Sequence, residues 1–206
     1  YEGTSNEDAT SQSLYFNANN VTDVNSNGSK VDDWRRANVD DMVKTLYNDI
    51  QKVKPWVRFG MGPFGIWSSG EKDVIYTKYG IEKPDGITGA NYYGDRGCNT
   101  VEWIKNGWVD YVNPQLYWPT SSSGQDYDVL CKWWAKDVCE YFSNQLSGNK
   151  KVHFCVSQAA YRVYDSSTGF SVSEIQKQID ANRANLSSGY NGSVFYNTKS
   201  YLKMYQ

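Results

Sequence analysis

The sequence predicts an α/β fold of about four parallel βα units, the C-terminal half of a (β/α)8 barrel. Three observations carry that expectation. Helical and strand-like patterns alternate along most of the 206 residues. The strand-like segments VRFGMG (57–62), VDYVN (109–113), VHFCVSQ (152–158) and SVFYN (193–197) are short and rich in apolar and β-branched residues, as in strands buried on both faces. Each is followed by a helical pattern, and a βα order with right-handed crossovers builds a parallel sheet. Four such units make half of a barrel and leave two bare edges. A small open sheet, or a half-barrel that self-associates through its edges, are the alternatives.

Residues 1–31 are rich in Asn, Ser, Thr and Asp and carry no period, so they read as a long polar βα loop. The barrel portion is expected over 32–206. Val39, Met42, Val43, Leu46, Tyr47, Ile50 and Val53 fall at helical spacing, with Asp32 or Asp33 as N-cap and Pro55 as the stop. The first strand, 57–62, runs into PFGIW and a loop to about Cys98. TVEWIKN (100–106) is a short helix ended by Gly107. The second strand, 109–113, continues past Pro114 to Tyr117, and SSSGQD leads from there into an amphipathic helix over about 126–146. After the third strand, Val172, Ile175, Ile179 and Leu186 mark one face of a helix over 172–186. The fourth strand is followed by a last helix from Thr198.

Composition narrows the function. Net charge is −2 with 21% charged residues, so no basic field points to nucleic acid. No run approaches the ~20 apolar residues of a membrane span. Cys98, Cys131, Cys139 and Cys155 lack CxxC or CxxH spacing and read mainly as small buried thiols, with a disulfide left open. His153 starts a strand without a triad or metal-ligand partner nearby in sequence. The glycines form neither GxGxxG nor a P-loop. No metal or cofactor is therefore expected. Aromatic content is 16%, with 17 Tyr and 8 Trp. Flat rings with polar tips suit a surface that binds hydroxyl-rich sugars, and they also fill cores.

In parallel α/β folds the chemistry sits at the C-terminal ends of the strands. Those ends carry PFGIW (63–67), PQLYW (114–118), SQAAYR (157–162) and FYNTK (195–199). Trp67, Gln115, Tyr117, Trp118, Gln158, Tyr161, Arg162 and Asn197 are the candidate lining of one concave face, each with rim packing as its alternative. Glycoside hydrolysis needs two carboxyls, about 5–5.5 Å apart for retention and about 6.5–9.5 Å for inversion. None of the four segments contains Asp or Glu. Asp110 stands at the wrong end of its strand, Asp126 and Asp128 read as helix N-caps, and Asp95 and Asp165 lie in loops.

The blocks DWRRANVDDMV (33–43), KPWVRFGMGPFGIW (54–67), WIKNGWVDYVNPQLYWP (103–119), VSQAAYRV (156–163) and GSVFYNTKSYL (192–202) together resemble the C-terminal half of the bacterial glycosyl-hydrolase-like family ten, over about residues 32–202. The resemblance implies a (β/α)8 glycoside hydrolase of the bacterial cell envelope or a secreted one, with relatives that cleave peptidoglycan glycan strands stripped of peptide. It implies catalytic acids in an Asp-Asp-Tyr-type motif at the end of the fourth barrel strand, upstream of this chain, which has no such motif. Residues 1–31 would then overhang the cleft. Trp34 and Arg35, with Arg36 beside them, would stand near the site, where anchoring the helix start is their other reading. Tyr117 would support catalysis with a hydrogen bond to the 2-substituent of the reacting sugar, while Trp67 and Trp118 would stack on sugar rings. A non-catalytic glycan-binding module remains the rival.

Overall fold

The computed structural model describes residues 9–19, 28–69, 73–164 and 170–203. In chain order the elements are α1 (Ala9–Ala18), α2 (Gly28–Val53), β1 (Gly60–Met61), α3 (Asp73–Tyr79), α4 (Tyr92–Asp95), α5 (Thr100–Lys105), β2 (Tyr111–Val112), β3 (Gln115–Leu116), α6 (Tyr127–Lys132), α7 (Tyr141–Ser143), β4 (His153–Gln158), α8 (Val172–Ala184), β5 (Tyr190–Phe195) and α9 (Thr198–Lys203). A π-helical stretch, Trp133–Glu140, joins α6 to α7.

All strand pairs are parallel. β1 pairs with β2, β4 pairs with both β2 and β3, and β5 lies on the far side of β4. β2 and β3 are one strand interrupted at Asn113–Pro114, where Pro114 has no N–H to give the ladder. Strands therefore lie side by side in the order the chain makes them. That is the succession of a barrel segment, whereas a doubly wound sheet reverses its order. The α/β fold with about four parallel βα units is thus present.

The aromatic residues do much of the core packing. Trp134, Tyr127, Phe142, Phe154, Ile104 and Leu116 are fully buried. Indole N–H groups find acceptors inside: Trp134 donates to the Gly65 carbonyl (2.8 Å), Trp133 to the Glu82 carbonyl (2.7 Å), and Trp103 to Asp40 Oδ1 (2.6 Å). The wider π pitch turns Trp133, Trp134, Ala135, Val138 and Cys139 all inward.

Several expectations change. The stretch expected as a loop over 1–31 contains α1, and α2 begins at Gly28. Asp32 and Asp33 do not cap α2, which already starts four residues before Asp32; within the helix they pair at i,i+3 with Arg35 and Arg36. The first strand shrinks to Gly60–Met61. Among the described residues the two faces of the sheet differ: Val112, Leu116, Phe154 and Val156 are buried, while on the other face Ser157 is buried but Tyr111, Asn113, Gln115, Tyr117 and Cys155 stay half-buried. Four strands do not close a barrel, so one set of alternating residues lacks facing strands. The four thiols are free, with Cys131 and Cys139 buried. Along α2, Met42, Leu46 and Val53 are exposed, and Trp56 just beyond it is 74% exposed.

Candidate functional site

The register of the sheet sets the site. Gln115 stands opposite Ser157, Leu116 opposite Gln158, and Gln158 opposite Phe195. The residues just beyond these pairs, Tyr117, Tyr161 and Tyr196, therefore emerge together at the C-terminal ends of three neighbouring strands. Their rings form one cluster. Tyr117 lies nearly parallel to Tyr196 (centroids 6.3 Å, 26°) and edge-on to Tyr161 (6.0 Å, 80°), and Tyr161 meets Tyr196 at 5.9 Å and 90°. Backbone bonds lock the arrangement: Tyr196 N–H donates to the Gln158 carbonyl (2.9 Å) and Tyr161 N–H to the Tyr196 carbonyl (3.0 Å).

The Tyr117 hydroxyl lies 3.2 Å from Ser157 Oγ. Burial raises the Tyr117 phenol above its ordinary pKa, against the lowering effect of the Ser157 bond. At neutral pH it is a protonated hydroxyl, able to donate. Tyr196 is 55% exposed and Tyr161 37%, so two of the three tyrosines of the cluster are open to solvent. Arg162 packs over Phe170 (5.7 Å) with its Nε 3.4 Å from the Tyr161 hydroxyl. Asn197 is exposed and caps the last helix, its Oδ1 accepting from Ser200 N–H (3.3 Å). Gln115 Nε2 donates to the Gly62 carbonyl (3.3 Å).

The other candidates stand apart from this cluster. Trp67 is 2% exposed, donates to the Cys98 carbonyl (3.1 Å), and packs among Tyr76, Tyr79, Tyr93 and Trp133. Its expected stacking role gives way to core packing, because the chain turns inward after Gly65. Gln158 is fully buried and joins Gln178 (3.2 Å) and Asn182 (3.4 Å) behind the sheet. Its side chain falls on the helix-covered side of β4, so it is a core amide. Trp34 is buried against Phe16 (6.1 Å) and Tyr15 (5.9 Å), which makes it the anchor between α1 and α2. Arg35 pairs with Asp32 (3.7 Å). Trp118 is half-buried on the core, and its carbonyl accepts from Gln178 (3.1 Å).

Sequence reasoning passed over Tyr196 and Ser157, although both lie in the quoted strand-end segments. A further aromatic pair at the end of β1, Phe64 stacked on Tyr92 (3.8 Å, 7°), joins residues 28 positions apart and had no sequence signal. Asp126 caps α6, accepting from Asp128 N–H (2.9 Å) and Val129 N–H (3.0 Å). Asp165 lies outside the described residues. His153 is exposed at the opposite end of the sheet, 3.1 Å from Asn191 Oδ1. Among the described residues no group of three or more His, Cys, Asp or Glu could hold a metal.

The fold and its strand ends define a barrel-type α/β domain with a tyrosine- and amide-lined face. The glycosyl hydrolase-like 10 family model matches residues 2–166, and the chain belongs to that family. It is 36% identical over 137 residues to the glycosyl hydrolase YngK of Bacillus subtilis (strain 168), which is 66% of this chain and 23% of that relative. It is 33% identical over 159 residues to the glycosyl hydrolase DigH of Escherichia coli (strain K12), 74% of this chain and 32% of that relative. The chain thus spans less than a third of the length of these curated relatives.

Proposed function

We propose that this chain is the substrate-holding portion of a glycoside hydrolase that acts on a bacterial polysaccharide, with peptide-free peptidoglycan glycan strands as the substrate class. The observation that carries this reading is the convergence of Tyr117, Tyr161 and Tyr196 at the strand ends of a glycosyl hydrolase-like chain. Aromatic faces stack on sugar rings, and the phenolic tips reach hydroxyl or acetamido groups. Tyr117 supplies a hydrogen bond to the 2-substituent of the reacting sugar, a contact that gains strength as oxocarbenium character develops. The carboxyl pair required for cleavage is contributed, in this reading, by strands that complete the barrel. The setting is the cell envelope or the secreted fraction.

A non-catalytic glycan-binding role is the second reading, favoured by the lack of Asp or Glu in the strand-end segments. Retention on two insoluble matrices tests the substrate class. Peptidoglycan stripped of its peptides should hold the protein more strongly than the same material with peptides intact. Equal retention, or none, would contradict it. Release of soluble saccharide from the stripped matrix then separates cleavage from binding.

A further inference from the structure

We propose that Glu174 is the positioning residue of the glycan-binding face, holding the segment Tyr117–Thr120 in place from α8. This rests on the reading that the tyrosine cluster meets a glycan.

The sequence around Glu174 is Ser171-Val-Ser-Glu174, the pattern of a capping box. In that motif the Ser side chain accepts from the N–H of the Glu, and the Glu side chain turns back to the Ser N–H. Half of it is present: Ser171 Oγ accepts from Glu174 N–H (3.1 Å). The Glu174 carboxylate instead reaches across to the loop after β3. Its Oε1 accepts from Thr120 N–H (2.6 Å) and its Oε2 from the Thr120 hydroxyl (3.1 Å). Oε1 also accepts from Gln178 Nε2 (3.2 Å).

Gln178 extends the clamp. It is fully buried, and the same Nε2 donates to the Trp118 carbonyl (3.1 Å) while its Oε1 accepts from Gln158 Nε2 at the end of β4 (3.2 Å). The two backbone groups on either side of Pro119, the Trp118 carbonyl and the Thr120 N–H, are therefore both bound by one helix. Tyr117 is the residue immediately before them. A proline-containing loop on short strands would otherwise have few ties. Glu174 is 7% exposed, so water competes little for its bonds, and its place in the first turn of α8 favours negative charge there. Charge-assisted bonds to a carboxylate are roughly twice as strong as neutral ones. A glutamate diverted from its own helix to the loop beside a ligand-facing tyrosine is expected where loop position matters.

The test uses the whole chain, with an N-acetylglucosamine tetramer as the glycan probe. Two quantities are read for each variant: ring–ring contacts between Tyr117 and Tyr196 by nuclear Overhauser effects, and the dissociation constant for the tetramer. Glu174→Ala should lose the ring contacts and bind about ten-fold more weakly. Glu174→Gln keeps one acceptor oxygen and should lose about three-fold. Ser171→Ala removes the helix cap and lowers the melting temperature but leaves the clamp, so ring contacts and affinity should stay as in the wild type. Should Glu174→Ala not fold, Thr120→Val, which removes the hydroxyl bond alone, should weaken the same ring contacts. Intact ring contacts in Glu174→Ala, or in Thr120→Val where Glu174→Ala does not fold, would overturn the proposal. So would Ser171→Ala weakening affinity as much as Glu174→Ala, since the effect would then be general loss of stability. A wild type that binds no tetramer counts against the glycan reading, while the ring contacts still decide the role of Glu174.

Discussion

At the scale of single residues, the proposed glycan contact rests on Tyr117 and Tyr196. Removing the Tyr117 hydroxyl leaves its ring in place and deletes the group that lies 3.2 Å from Ser157 Oγ. Tyr117→Phe should weaken glycan binding by about three- to ten-fold, the worth of one hydrogen bond, with unchanged melting temperature. Tyr196→Ala should cost about ten-fold through lost stacking. Isothermal titration checks both, and an unaltered affinity in either variant removes that residue from the site. Asp40 gives a prediction in pH. Burial raises its carboxyl pKa above 3.8 despite bonds from Asn99 Nδ2 (2.8 Å) and Trp103 Nε1 (2.6 Å). A raised folded-state pKa means the native state holds this proton more tightly than the unfolded chain. The stabilisation it brings is complete below the ordinary carboxylate value and is lost as pH rises through the raised one. Relative to Asp40→Asn, which cannot ionise, the wild type should lose stability as pH rises from below the ordinary carboxylate range through the raised value. Urea midpoints measured across that range should diverge in this direction, and a constant difference would refute it.

At the scale of elements, the close approach of the chain after β1 to β3 is the most sensitive joint. Phe64 bridges to Gln115 in parallel, and a Cβ on Gly65 would stand 2.3 Å from the Gln115 carbonyl oxygen and 2.9 Å from Trp118 Cζ3. The obstacle is backbone and cannot swing aside. Gly65→Ala should destabilise by about 1–3 kcal/mol, read from denaturant unfolding. The same joint explains what was legible in the sequence. The βα order and the strand positions follow from periodicity and chain punctuation, which are local. The inward turn at Gly65 that buries Trp67, and the register that sets Tyr196 beside Tyr117, are pairings between distant residues. An exposed and a buried tryptophan after a strand look alike in sequence. α1 has no helical period to read, because the large apolar residues of ATSQSLYFNA, Leu14, Tyr15 and Phe16, are consecutive; Phe16 and Trp34 hold it by tertiary contact.

At the scale of the whole molecule, the sheet ends at β1 on one side and β5 on the other. Along α2 and just past its end, Met42, Leu46, Val53 and Trp56 are exposed. Patches of this kind drive association. The chain at high concentration should therefore self-associate, and the double variant Leu46→Lys, Trp56→Ser should reduce it. Light scattering over a concentration series measures this, and a wild-type mass that stays monomeric throughout would contradict it. Association would leave the tyrosine cluster open, since it stands at β3, β4 and β5. The central claim, that this cluster binds glycan, is tested most directly by titrating the whole chain with peptide-free glycan strands, alongside a Tyr117→Ala, Tyr196→Ala double variant. Saturable binding by the wild type and its loss in the variant, with folding preserved, is the predicted result. Absence of binding by the wild type, or equal binding by both, would contradict the account.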